Sequence, residues 1–194
     1  TELVHTNAAT SIPLSKETRY LDLTPDGRYL AFVANTNDVQ GTTTCIQVWD
    51  GNSGALTLAS ADPSGNVPSN SISIWPTVDP SGRYVAFLSN ASGLTTNPIS
   101  GTWHLYFSDL VTTNTLLVDT DTNGVGASVT PASVPRLSAD GRFVAFEAAD
   151  GSLVANDNNH CLDVFVRDIV GGTNELISAR HPALASASPN GLSL

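Results

Sequence analysis

The stretch "LSADGRFVAFEAAD", residues 137–150, decides the fold because the chain writes it three times. "LTPDGRYLAFVAN" starts at Leu23 and "VDPSGRYVAFLSN" at Val78, so Gly27, Gly82 and Gly141 each precede an arginine, an aromatic residue and an apolar run. Arg28, Arg83 and Arg142 lie 55 and 59 positions apart. Two further markers follow each arginine in the same order. "IQVWD", "LYFSD" and "VFVRD" end at Asp50, Asp109 and Asp168, spaced 59 and 59. "ALTLAS" from Ala55, "NTLLVD" from Asn114 and "NELISA" from Asn174 come next. Shared order and shared spacing together identify an internal repeat, the sequence signature of an array of like units.

Each unit reads as four short strands. The first precedes the turn, as in "SISIWPTVD" (71–79) and "SVPRLSA" (133–139). Asp-Gly or Ser-Gly then supplies the positive φ of a hairpin, which glycine adopts without steric cost. The second strand, "RYLAFVA", "RYVAFLS" or "RFVAFEA", alternates weakly and is rich in aromatic and β-branched residues, as a strand buried on both faces should be. A polar loop leads to the third strand, ending in Asp50, Asp109 or Asp168. A turn such as "GNSG" (51–54) or "IVGG" (169–172) gives way to the fourth. No window sustains a 3.6-residue period, so essentially no helix is expected. Four-stranded antiparallel units at this period predict an all-β chain of β-propeller blades.

The opening "TELVHT" matches "NELISA". It predicts an outer strand of a preceding blade over 1–10, followed by blades over 11–66, 67–126 and 127–194. Three blades fall short of the about four to eight that close a ring. Two open faces would remain, each a larger apolar patch than a monomer usually shows. Such a chain is part of a longer propeller, or half of a ring made by two copies, or a unit whose leading strand pairs with a neighbour and so builds a filament.

Composition narrows the partners. With 194 residues and 41% hydrophobic content the chain can bury a core. Eight Lys+Arg against eighteen Asp+Glu give a formal charge of −10, and Lys16 is the only lysine. Such a surface repels phosphate backbones and anionic membranes, and no apolar run is long enough to span a bilayer. The polar opening "TELVHTNAAT" lacks the basic-then-apolar start of a signal peptide, so the export that the composition suggests implies a signal removed or placed upstream. Cys45 and Cys161 stand far apart, outside any Cys-x-x-Cys spacing, which excludes a disulfide framework or a zinc site made of cysteine pairs.

"SADGRFVAF", followed by "DVFVRD" and "TNELIS", resembles the TolB-like, WD-repeat-like propeller repeat of bacterial exported multi-blade proteins. The resemblance covers nearly the whole chain. Its third unit matches best, whereas the first departs, with "SKETRYLDL" before its turn and "CIQVWD" in place of "DVFVRD". It implies a blade fold and an extracellular, cell-surface or periplasmic bacterial setting. It does not imply one activity, because such blades serve as binding scaffolds, gates and structural modules alike.

Few residues suggest chemistry. "DTDTNG" (119–124) begins like a calcium-binding loop, with Asp119, Asp121 and Asn123 as oxygen donors, but the twelfth position is Thr130 rather than a bidentate glutamate and a turn explains the same residues. "NDNNH" (156–160) is weaker still. His5, His104, His160 and His181 occupy different repeat positions and show no His-x-x-x-His pair or Glu partner. Neither a Gly-x-Ser-x-Gly elbow nor a phosphate loop is present. The repeated Arg28, Arg83 and Arg142 are expected to pair with Asp50, Asp109 and Asp168 within blades, and Trp75 to pack in the core unless it lines the channel or stacks a sugar. The sequence thus predicts a non-enzymatic scaffold that assembles with other protein chains, copies of itself first, and that needs no cofactor unless calcium. The alternative is a module binding glycan or calcium.

Overall fold

The computed structural model describes residues 20–35, 43–131, 133–155, 157 and 161–178. Within them lie three antiparallel sheets of four strands, each a simple meander. Blade 1 comprises β1 (Leu21–Leu23), β2 (Tyr29–Asn35), β3 (Thr44–Asp50) and β4 (Leu56–Leu58). Blade 2 comprises β5 (Ser73–Val78), β6 (Tyr84–Ser89), β7 (His104–Asp109) and β8 (Asn114–Leu117). Blade 3 comprises β9 (Arg136–Leu137), β10 (Phe143–Ala148), β11 (Asp163–Asp168) and β12 (Thr173–Leu176). The described residues include no helix, hence none long and apolar enough to cross a membrane, and their three blades do not close a ring. The leading strand expected over 1–10, and with it His5, His160 and His181, lies outside the described residues.

The repeated turn is a four-residue loop rather than a two-residue hairpin. In blade 1 the Thr24 N–H donates to the Tyr29 carbonyl at 2.9 Å and the Gly27 N–H to the Thr24 carbonyl at 2.8 Å. Asp79 with Tyr84, and Ser138 with Phe143, repeat the arrangement. Gly27, Gly82 and Gly141 take φ of +74, +71 and +71°, the left-handed region that a residue with a Cβ enters at a cost of about 1 kcal/mol or more.

Register corrects one alignment. Asp109 pairs with Asn114, and Asp168 with Thr173, so the third marker of blade 3 begins at Thr173 and not at Asn174. The fixed point is a polar side chain ten residues beyond each strand-end aspartate. Ser60 Oγ, Asp119 Oδ1 and Ser178 Oγ accept the N–H of Ile46, Leu105 and Val164 at 2.9, 3.1 and 3.1 Å. The apparent match of "NELISA" with "ALTLAS" slips by one residue because short apolar strands look alike in either frame.

Each blade has a trailing face, toward the blade before it, and a leading face, toward the blade after. Ala31, Val33, Ile46 and Val48 on the leading face of blade 1 meet Val78, Val85, Phe87 and Tyr106 on the trailing face of blade 2. Ala86, Leu88, Leu105 and Phe107 likewise meet Val144, Phe146 and Phe165. Polar bonds cross the same seams: Asp22 Oδ2 accepts the Val78 N–H and the Thr77 hydroxyl, and the Trp75 indole donates to the Pro131 carbonyl at 3.2 Å. A blade on either side explains why β6 is buried almost throughout, while β2 is buried as fully although no described blade precedes it. β10 instead alternates between buried and more exposed residues. Its expected two-sided burial fails because no described blade follows it.

Candidate functional site

Two kinds of polar cluster and one apolar surface are candidates. The first cluster recurs in every blade. Arg28 grips Asp50 through Nε–Oδ1 at 3.0 Å and Nη2–Oδ2 at 3.3 Å. Arg83 grips Asp109 at 2.8 and 2.7 Å, and Arg142 grips Asp168 at 3.1 and 2.7 Å. Each guanidinium also lies over the next aromatic ring, 4.6, 4.8 and 4.9 Å from the centroids of Tyr29, Tyr84 and Phe143. The aspartates cap the following turns, accepting the N–H of Asn52, Val111 and Val170 at 3.0 Å. The arginine beside it brings the Asp50 carboxyl down to about 2, and holds those of Asp109 and Asp168 lower still. Bidentate geometry and turn capping make these pairs latches between β-turn and strand end.

The second cluster is confined to blade 2. His104 and Asp119 are wholly buried, and Nδ1 lies 2.9 Å from Oδ2, while Oδ1 takes the Leu105 N–H. Burial pushes the Asp119 carboxyl above its ordinary value, opposed by the hydrogen bond from His104. His104 Nε2 has no hydrogen-bond partner among the described residues. Neither group reaches solvent, so no substrate can meet them, and the pair is cement rather than a catalytic dyad. A signal for it existed in the repeat. The residue five before the strand-end aspartate and the residue ten after it are Cys45 and Ser60, His104 and Asp119, Asp163 and Ser178. In blade 3 these positions also bond, Ser178 Oγ donating to Asp163 Oδ1 at 2.6 Å.

This burial removes Asp119 from the candidate calcium loop. Asp121 is spent on its own turn, accepting the N–H of Asn123 and Val125 at 2.8 and 2.9 Å, and Asn123 turns its amide to Asp121. Among the described residues no group of three His, Cys, Asp or Glu side chains is placed to hold a metal. Cys45 is buried and free, its thiol pushed up to about 11 by desolvation, whereas Cys161 is half-buried. Trp75 carries φ +55° at a bulge between Ile74 and Thr77 and stacks on Tyr20. Clefts of about 240 Å³ lie between blades 1 and 2, beside Leu58 and Leu110, and between blades 2 and 3, beside Tyr84 and Val170.

The apolar surface is the leading face of blade 3. Phe143, Val164 and Ile177 are 37, 36 and 51% exposed. The equivalents of Val164 and Ile177, Ile46 with Leu105 and Ala59 with Val118, are buried to 1% or less, while those of Phe143, Tyr29 and Tyr84, are half-buried. The second open face is only partly so. On the trailing face of blade 1, Phe32, Ala34 and Cys45 are buried, while Leu23 is 51% exposed where its equivalent Val78 is 8%.

These blades define the protein by fold as a β-propeller segment. Neither a family model nor a curated protein matches the sequence. Among solved structures it is similar to TolB from Agrobacterium tumefaciens, at 18% identity and a TM-score of 0.50, covering 87% of this chain and 50% of that one. It is similar also to the β-propeller domain of the trilobed protease from Pyrococcus furiosus, at 12% identity and a TM-score of 0.51, covering 82% and 42%. A fucose lectin from Kordia zhangzhouensis aligns at 12% identity with a TM-score of 0.39. The chain thus spans half or less of the first two, and at these identities the likeness is one of fold.

Proposed function

We propose that this chain is a non-enzymatic propeller module that works by assembling with other protein chains, copies of itself first, in an extracellular or periplasmic setting. The observation that carries this reading is the exposed leading face of blade 3, where Val164 and Ile177 are open at positions that the other two blades bury. A soluble protein does not keep such a face in water without a use for it. The acidic composition and the repeated latches agree with a rigid structural unit, and the buried His104–Asp119 pair offers no reacting group to a substrate. Light scattering on the purified chain tests the reading. Mass that rises with concentration is expected, and a monomer at every concentration would overturn it.

A second reading rests on Trp75. A non-glycine residue at φ +55° carries backbone strain of about 1–3 kcal/mol, which concentrates at binding sites, and the stack with Tyr20 offers an aromatic surface at the inner strands. That reading makes the module a binder of sugars, and methyl glycosides that quench Trp75 fluorescence would favour it.

A further inference from the structure

The seams between blades contain a repeated interlock. A Cβ added to Gly82 would run into the ring of Tyr29, and one added to Gly141 into the ring of Tyr84. The aromatic residue after each turn arginine is therefore a knob, and the turn glycine of the next blade is the notch that receives it. Glycine serves here twice, for its positive φ and for the missing side chain. The series has two unmatched ends. At Gly27 nothing among the described residues lies within 4 Å of the Cβ position, so none of them fills this notch. At Phe143 the knob projects from the leading face of blade 3 with no described glycine against it.

We propose that Phe143 of one chain seats on Gly27 of a second copy, joining copies head to tail. This rests on the assembly reading above and names its interface. The occupant is argued from continuity: the two free halves are the same halves that fit twice inside the chain, in the same order. Leu23, exposed beside the notch, takes the place that Val78 fills in the blade 1–blade 2 core. The contact belongs to the turn end of the blades. At the other end of β10, Glu147 stands where Val33 and Leu88 are apolar, and the interior of blade 1's trailing face is already buried. A heterologous contact of this kind leaves a free knob and a free notch after every addition, so it propagates unless rotation closes it.

The arrangement makes a complementation test possible. Gly27→Asn keeps a residue that tolerates positive φ while filling the notch, and Phe143→Ser removes the knob. In sedimentation velocity the wild-type chain should associate, and each variant alone should associate at least about tenfold more weakly, as expected for loss of one aromatic anchor. An equimolar mixture should form a complex of two chains and no larger, because each variant keeps the half that the other lacks. Leu23→Gln, on the notch side, repeats the test if Gly27→Asn does not fold. Variants that associate like wild type would overturn the interlock while leaving self-assembly standing. Monomeric variants that fail to complement each other would overturn the head-to-tail arrangement. A wild-type chain that is monomeric throughout would overturn both the interlock and the assembly reading, and would leave the faces to blades of another chain or of a longer one.

Discussion

Tyr84 and Phe143 hold the same position in neighbouring blades and meet different surroundings. Tyr84 leaves blade 2, stacks on Phe107 with centroids 5.3 Å apart and fills the space over Gly141. Phe143 leaves blade 3 with the same arginine over its ring and the same turn behind it, and stays more than a third exposed. Backbone, turn and latch are thus set within a blade, whereas the burial of its leading face is set by whatever comes next. Blade 2 shows what the repeat is for, and blade 3 shows what it still asks for.

The comparison can be broken in several places. The largest effect is expected inside blade 2. Asp119→Ala strips His104 and the Leu105 N–H of their partner in a dry site and should cost about 3 kcal/mol or more, a fall in Tm of roughly 10 °C. Asp119→Ser, which copies Ser60 and Ser178, should recover part of this by restoring the bond to Leu105. Thermal unfolding of both variants measures the difference, and equal losses would show that the histidine alone sets the cost.

Next come the knobs. Tyr84→Ala should cost about 2 kcal/mol in a chemical denaturation of dilute chain, because it empties the seam over Gly141, while Phe143→Ala should change stability by no more than about 0.5 kcal/mol. Similar losses at the two sites would mean that Phe143 is already covered within its own chain. The notches should behave in parallel. Gly82→Asn overpacks an occupied site and should cost about 1–3 kcal/mol, whereas Gly27→Asn should leave unfolding of the monomer nearly unchanged.

The smallest effects belong to the latches. Asp50, Asp109 and Asp168 are held below the ordinary carboxylate value by their arginines, so their contribution is complete above about pH 4 and is lost as pH falls through the lowered values, near 2 for Asp50. An acid titration followed by circular dichroism should show that loss. Arg83→Ala and Arg142→Ala should flatten it to a similar degree, since both pairs are local to one blade.

Much of this was legible in the sequence. The turn glycines, the strand-end aspartates and their arginines are fixed by contacts within 26 residues, and a repeat displays such contacts as recurring letters. What recurrence could not show is whatever differs between blades. His104 with Asp119 occupies positions held elsewhere by Cys45 with Ser60 and by Asp163 with Ser178, so the pair emerges only after the register is set by hydrogen bonds. In the calcium-like "DTDTNG" Asp119 belongs to the blade interior and Asp121 to the turn, a division that strand geometry makes and spacing does not show. Likewise "RFVAFEA" reads as buried on both faces because its sisters are, and its exposure depends on a neighbour that no local pattern encodes.

The central claim is that blade 3 presents an unfinished face which another copy covers. Hydrogen exchange of the β10 and β11 amides, measured at low and at high chain concentration with β6 as the internal reference, tests it directly. The account predicts that protection of 143–148 and 163–168 rises with concentration while that of 84–89 does not. Protection that is the same in blade 3 at both concentrations would contradict it.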